Sequence, residues 1–409
     1  MKLKILGSGR EVGRSAILLI HDNCKISLDF GVKLQPEPPS FPIIPKEIDG
    51  IIVTHSHLDH SGAIPLLPNV NCYMSDMTKK LTKLLLIDFV KVARINNYHI
   101  GFSKKDVKLA LSNSLIVEKD FIIKDVACKF FDAGHIPGSK SILLNVQGKN
   151  IFYTGDIKLE KQNLIDGCKL PKEEIDILII ESTYGDRDHN ERSKEEDRFK
   201  AEIDETLNQN GIVLLPAFAV GRAQELLLIL KDYIDYIAID GMAKDATKII
   251  MNYNLKSSTL LKKIFKRIKK VNTKKERERI IRKGSRIIIT TSGMLNGGPA
   301  VYYIKKIYKR KDCKILFTGF QVEGTPGKYL LDTGIFRNED LELHVNCPIA
   351  RFDFSSHAGR SELFKIIEKL NPKNIICVHG DHCNEFAKDI EKKFGIKTFS
   401  PSNNEILEF

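Results

Sequence analysis

Between Ile51 and Pro65 the chain reads IIVTHSHLDHSGAIP, which sets His55, His57, Asp59 and His60 directly after an apolar run. One histidine at a strand end is ordinarily a hydrogen-bonded loop residue. Four ligand-type side chains spaced so closely are a different matter. Burying them unpaired is costly, and a surface loop has no need of them. On extended backbone His55 and His57 project to the same side, while Asp59 and His60 fall on the first turn of a following helix. One loop can therefore serve two metal centres. Imidazole together with carboxylate suits zinc, with manganese and iron competing for the same donors.

Three further polar groups stand at the ends of strand-like runs: His135 in FFDAGHIPGS, Asp156 in NIFYTGDIK and His379 in NIICVHGDH. Alone, each reads as a turn residue; the repeated placement points to one shared site. The elements that must carry them divide into three regions. The first 160 or so residues are rich in strand signals, with HDNC and QGKN as the turns of two hairpins and one long amphipathic helix over Met77–Asn97. From about Gly211 strands and helices alternate through GIVLLPAFA, YIAIDG, RIIITTSG and KILFTGF, which predicts a parallel sheet covered on both faces. The chain then closes with the helix SELFKIIEKL, the strand NIICVHGD, another helix and the strand IKTFSP. The fold class is α/β.

At 409 residues the chain exceeds one typical core and fits two domains. No apolar run approaches the ~20 residues of a membrane span, and MKLKILGSG reads as a first strand rather than a signal peptide. A cytoplasmic location without membrane attachment is expected. The eight cysteines are scattered without a C-x-x-C pair, which predicts buried thiols and neither a cysteine zinc site nor a disulfide framework. The formal charge of +12 favours a polyanionic partner, although lysine-rich chains also arise through thermal adaptation.

THSHLDHSG with AGHIPGS and YTGD resembles the metallo-β-lactamase fold, whose H-x-H-x-D-H signature builds a two-metal hydrolase site. ESTYG, PAFAVGRAQELLLIL, TTSGMLNGG, FTGFQVEGTPGKYL, FSSHAGRSEL and VHGD resemble the β-CASP branch of nucleic-acid nucleases, in particular the cleavage and polyadenylation specificity factor endonuclease and its archaeal relatives, with ribonuclease J more distant. The resemblance implies an αββα sandwich assembled from residues 1–185 and 346–409, with a β-CASP domain inserted at 186–345. It implies two Zn2+ per chain, one held by His55, His57 and His135, the other by Asp59, His60 and His379, with Asp156 bridging. Asp29 in SLDFG would orient the ligands. Glu181 and His357 match motifs in which the carboxylate hydrogen-bonds the histidine.

By that resemblance Asp59 accepts a proton from water and His357 delivers one to the leaving oxygen, with Glu181 fixing its ring. Arg222 opens a helix directly after a strand, and Ser292 and Gly293 precede another. Each segment is either a phosphate contact or only a tight strand-to-helix turn. The run Lys262–Gly284 is either a solvated helix face or an RNA-guiding surface. The expected activity is hydrolysis of single-stranded RNA, endonucleolytic, in RNA 3′-end processing or decay. The final VHG histidine accompanies RNA-processing members, and FSSHAG stands closer to the cleavage-factor form than to that of ribonuclease J. The alternatives are a 5′-to-3′ exoribonuclease and a non-catalytic RNA-binding partner. A small-molecule metallo-hydrolase would leave the inserted domain unexplained. A homodimer or a processing-complex partner is a further expectation.

Overall fold

The structure is a computed structural model that describes residues 1–339 and 341–409. The chain divides into two compact units, the first built from Met1–Lys161, Asp166–Asp188 and Ser356–Phe409, the second from Gln162–Ile165 and His189–Ser355.

Two seven-stranded sheets form the first unit. One runs, edge to edge, through Ile406–Glu408, Lys2–Gly7, Ala16–His21, Cys24–Leu28, Gly50–Ile52, Cys72–Met74 and Ser114–Ile116. The other runs through Lys397–Phe399, Asn374–Val378, Ile177–Glu181, Lys149–Tyr153, Lys140–Val146, Val126–Asp132 and Asp120–Ile123. The inner strand Ile177–Glu181 is buried along its whole length, and its alternation explains why. Ile177 and Ile179 join Leu3, Ile17 and Ile52 in the core between the sheets. Leu178 and Ile180 face the other way, onto Leu363, Ile366 and Phe386 of the helices Arg360–Leu370 and Cys383–Phe394. A strand covered on both faces must be apolar throughout, which is what ILII supplies.

The long helix spans Asp76–Ile95 rather than Met77–Asn97 and is capped by Ser75, whose hydroxyl accepts from the Thr78 amide. Met77, Leu81, Leu85, Phe89 and Ala93 form its buried stripe. The HDNC and QGKN turns close the hairpins Ala16–His21/Cys24–Leu28 and Lys140–Val146/Lys149–Tyr153.

In the second unit a six-stranded parallel sheet has the order Lys269–Lys270, Ile237–Asp240, Ile287–Thr290, Val213–Pro216, Lys314–Phe317 and Ile349–Arg351. The last strand pairs with Lys314–Phe317 through Ile315 and Ile349. The second unit therefore runs on to Ser355, past the expected boundary at residue 345.

Candidate metal centre

Chain direction decides where the polar groups collect. Cys24–Leu28 and Gly50–Ile52 are parallel in one sheet, and Lys149–Tyr153, Ile177–Glu181 and Asn374–Val378 are parallel in the other. Val126–Asp132 reaches the same direction by two antiparallel steps. Asp29, the 55–60 loop, His135, Asp156, Glu181 and His379 thus all follow or end strands that point one way, the edge where α/β sheets present their ligand groups.

The 55–60 loop is clamped by the 29–32 turn. Phe30 N donates to the His60 carbonyl (2.9 Å) and Val32 N to that of Leu58 (2.8 Å). A Cβ on Gly31 would lie 1.7 Å from the Asp59 carbonyl oxygen, so only glycine allows this approach. Asp29 and His379 adopt left-handed backbone at φ +60° and +52°. Such strain in non-glycine residues persists where surrounding structure holds it, commonly at functional sites.

The structure gathers His55, His57, His135 and Asp156 into one cluster and Asp59, His60, Asp156 and His379 into a second, with potential donor atoms in each within 4.8 Å of one another. The two carboxylate oxygens of Asp156 face different clusters. Oδ2 lies 3.3 Å from His55 Nε2 and 3.5 Å from His135 Nε2, while Oδ1 lies 3.1 Å from His60 Nε2 and 3.4 Å from His379 Nδ1. His379 Nε2 is 3.4 Å from Asp59 Oδ2. A cation with bonds of ~2.0–2.2 Å spans donor separations of roughly this size. His55 Nε2 and Asp156 Oδ1 are fully buried and make no hydrogen bond. Two unbonded polar atoms at the centre of converging imidazoles mark a common focus, and buried polar atoms of this kind call for an ion. A metal fits here on chemistry and on geometry.

A second layer fixes the rings. The Asp29 carboxylate, 0% exposed, accepts from Thr54 N (2.7 Å), Thr54 Oγ1 (2.9 Å), Tyr153 Oη (2.9 Å) and His60 Nδ1 (2.7 Å). With its proton given to Asp29, the Thr54 hydroxyl accepts from His55 Nδ1 (3.0 Å). His135 Nδ1 donates to the Ser356 carbonyl (3.0 Å). Each contact places the ring proton on Nδ1 and turns Nε2 toward the cluster. Thr183 plays a similar part: it donates to Glu181 Oε2 (2.5 Å) and lies 3.2 Å from His379 Nδ1. Thr54, Tyr153 and Thr183 escape sequence reasoning, since they are ordinary strand-type residues whose role depends on cross-strand register.

Burial holds His55 and His135 neutral and pushes His57 down to about 3, the state a ligand requires. Burial opposes ionisation of Asp59 and Asp156, yet the neighbouring imidazoles outweigh it and hold both well below the carboxylate range. Burial likewise opposes protonation of His60, and Asp156 with Asp29 overcomes it.

Beside the clusters, His357 Nδ1 donates to Glu181 Oε2 at 2.9 Å, and its ring lies 4.5 Å from that of His135. Glu181 is fixed in turn by the Ile157 amide, 2.6 Å from Oε1. Burial would lower the His357 pKa, but Glu181 and Asp156 prevail and raise it to about 9.

Arg222, Ser292 and Gly293 belong to the second unit. Arg222 and Gly293 line one narrow cleft with Phe218, Thr318 and Gln321; Ser292, half-buried with its hydroxyl enclosed, does not line it. The amide of Gly221 at the start of the Arg222 helix is already taken by Gln224 Oε1 (2.8 Å), so that helix end has one donor fewer for a phosphate than its sequence suggests.

Three protein families match parts of the chain. Residues 223–330 match the Beta-Casp domain, 342–401 the Zn-dependent metallo-hydrolase RNA specificity domain, and 1–181 the anti-Pycsar protein Apyc1 family. The chain is 43% identical to the probable RNase MJ4 of Methanocaldococcus jannaschii over 402 residues, covering 93% of each chain. It is 33% identical to RNase aCSPSF2 of Saccharolobus solfataricus (98% of this chain, 84% of that one) and 34% identical to the transcription termination factor FttA of Pyrococcus abyssi (97% and 70%). A crystal structure of a protein of unknown function from Enterococcus faecalis V583 shares the fold, with TM-score 0.65 at 13% identity over 99% of both chains. The chain belongs to the β-CASP branch of the metallo-β-lactamase-fold nucleases. It is a metal-using hydrolase that binds and cleaves RNA.

Proposed function

We propose that the chain is a two-zinc endoribonuclease acting on single-stranded RNA in 3′-end processing or decay. The observation that carries this reading is the bridging position of Asp156, one oxygen toward each imidazole cluster. In this reading His55, His57 and His135 hold one zinc, Asp59, His60 and His379 the other, and Asp156 both. Zinc bound there supplies neutralisation of the phosphodiester charge and a water acidic enough to lose its proton near neutral pH.

The chain's own groups do the rest. Asp59, with a carboxylate oxygen facing His379, accepts the proton from water. His357, its Nδ1 fixed on Glu181, presents Nε2–H to the departing oxygen, and Glu181 holds the ring in that orientation. Arg222 and Gly293 contribute contacts to the RNA backbone from their shared cleft, and Ser292 sets the turn that presents Gly293. A second reading, trimming from the 5′ end, draws support from 32% identity to an RNase J-like protein of Methanocaldococcus jannaschii over 99% of both chains.

Elemental analysis of gently purified protein is expected to give close to two zinc ions per chain. A value near zero that reconstitution does not raise refutes the metal assignment. Incubation with internally labelled and 5′-labelled RNA, with and without a 5′-monophosphate, separates the two modes. Internal fragments appearing first support endonucleolytic cutting; mononucleotides released only from 5′-monophosphorylated RNA establish the exonuclease instead.

A further inference from the structure

The second unit concentrates nearly all of the chain's excess charge in one short stretch. Between Lys262 and Gly284 there are twelve Lys and Arg against two Glu, ten of the twelve net positive charges of the whole protein. The structure folds this stretch around one edge of the six-stranded sheet. Helix Ser258–Arg267 leads to the edge strand Lys269–Lys270, and helix Lys274–Lys283 leads away from it. The edge strand lies beside Ile237–Asp240, which separates it from Ile287–Thr290, the next strand in the chain. The chain thus steps outward to the edge and then back across, and right-handed crossovers put the two helices on opposite faces. Lysine on the edge strand lies between them.

Each helix buries a narrow apolar line and leaves its basic residues in solvent. Leu261, Ile264 and Phe265 anchor the first helix, and Ile280, packed with Ala238 and Ile288, anchors the second. Lys262 and Lys266 form one exposed row, and Lys275, Arg279 and Arg282 another at helical spacing. Lys283 extends the second row.

An ordinary solvated helix face intersperses its charges so that pairs form along it. Here Arg267 pairs with Asp235, Arg277 with Asp240, and Lys269 stands 3.9 Å from Glu276. The six residues of the two rows have no ion pair among the described residues. Like charges at this density repel one another and destabilise the fold unless an external polyanion is taken up. One half-buried aromatic ring stands beside them: Tyr302, from the helix Gly298–Ile307, has Arg277 at 5.8 Å and Lys306 at 5.9 Å from its ring.

We propose that this edge is a dedicated RNA-backbone grip, a belt of unpaired cations on both faces of the sheet edge that binds the phosphates of single-stranded RNA. The inference rests on the ribonuclease reading for its choice of RNA and extends it to a surface outside the clusters around Asp156. Binding through phosphates is sequence-independent and acts by counterion release, so the belt sets affinity and salt dependence and leaves the chemistry alone.

The test is fluorescence anisotropy of the zinc-loaded protein with an unstructured RNA strand of phosphorothioate backbone, titrated across a series of salt concentrations. Two variants are compared with wild type: K275Q/R279Q/R282Q/K283Q on one face and K262Q/K263Q/K266Q on the other. Glutamine has nearly the helix propensity of lysine and arginine, and the two sets lie on separate helices, so one remains informative if the other misfolds. Each is expected to weaken binding at least about tenfold near physiological salt, and to flatten the slope of log affinity against log salt by up to about 0.7 per cation removed. Zinc content and the cleavage rate at saturating RNA should match wild type. Wild-type affinity and slope in both variants would overturn the proposal and leave an acidic protein as the occupant of this edge. The two readings fail separately. Wild type that cuts no RNA, with both variants still losing affinity, removes the nuclease reading and keeps the belt; normal cutting with unchanged affinity does the reverse.

Discussion

Replacing Asp29 by Asn removes one charge from a carboxylate that touches no substrate, and its effect can be worked out from hydrogen bonds alone. Asp29 accepts from four donors, among them His60 Nδ1 at 2.7 Å and the Thr54 hydroxyl at 2.9 Å. An amide presents one oxygen and one NH2, so whichever way it turns, one donor meets another. With its oxygen on the Thr54 amide, the new NH2 faces His60 Nδ1 and drives that ring to its other tautomer. The proton then sits on Nε2, the atom 3.1 Å from Asp156 Oδ1, which can no longer ligate. A hydrogen bond to a charged group is worth ~1.5–3 kcal/mol, and at ~1.4 kcal/mol per decade this becomes a loss of about 10–100-fold in metal affinity, the range seen when such outer partners are removed. Asparagine tolerates φ +60°, so the backbone should hold. The assay is zinc titration against a competing chelator, with RNA cleavage followed over the same range of free zinc. Weaker uptake at one of two sites, with cleavage restored by excess zinc, is expected. Unchanged affinity in a folded variant would refute the reasoning, and an equal fall in the thermal midpoint with and without zinc would assign Asp29 to the core instead.

Replacing His357 by Ala should leave zinc content intact and lower the cleavage rate roughly 10²–10⁴-fold, the range of general acid catalysis. The loss should shrink on an RNA whose scissile leaving group is a thiolate, which departs without a proton; an equal loss on both substrates would point to positioning. Asp353 offers a pH test in the second unit. Burial raises its pKa, but the hydrogen bond from His189 (2.8 Å) outweighs that and brings it to about 2. A depressed carboxyl contributes stability above its unfolded pKa of ~3.9 and loses it as pH falls through the folded value. Thermal midpoints of Asp353→Asn should therefore start lower at neutral pH and fall less steeply than wild type between about pH 4 and pH 2, and parallel curves would contradict the pairing.

The site was legible in the sequence to the extent that its donors are local. His55, His57, Asp59 and His60 share one loop, so their spacing alone announces a metal. His135, Asp156 and His379 are visible as strand ends, but their meeting depends on a sheet order that inserts Ile177–Glu181 between strands from distant parts of the chain, and spacing encodes no such order. Their repeated placement at strand ends pointed to a shared site, and the family resemblance divided them between two metals. The hairpin Asp120–Ile123/Val126–Asp132 turns at Lys124 with φ +54°, without the glycine or asparagine that marks the other two. The strand Ile349–Arg351 is too short to stand out from a loop, which put the domain boundary ahead of its place in the structure.

The order in which the chain supplies its site has a consequence for the living ribosome. Ile406–Glu408 pairs with Lys2–Lys4, and His357 and His379 both lie beyond the second unit, so the protein's first and last segments build one body. A nascent chain that has already made the 55–60 loop, His135 and Asp156 still lacks His379 and the His357 donor. Translation therefore supplies His357 and His379 only after the whole second unit, His189–Ser355, has been made. An enzyme whose substrate is RNA emerges beside the RNA that encodes it, and the split of its first unit leaves the cluster around His379 unassembled for most of that exposure. A copy cut short before residue 357 never assembles the cluster that His379 completes, and on the two-zinc reading proposed above such a fragment is no stray nuclease.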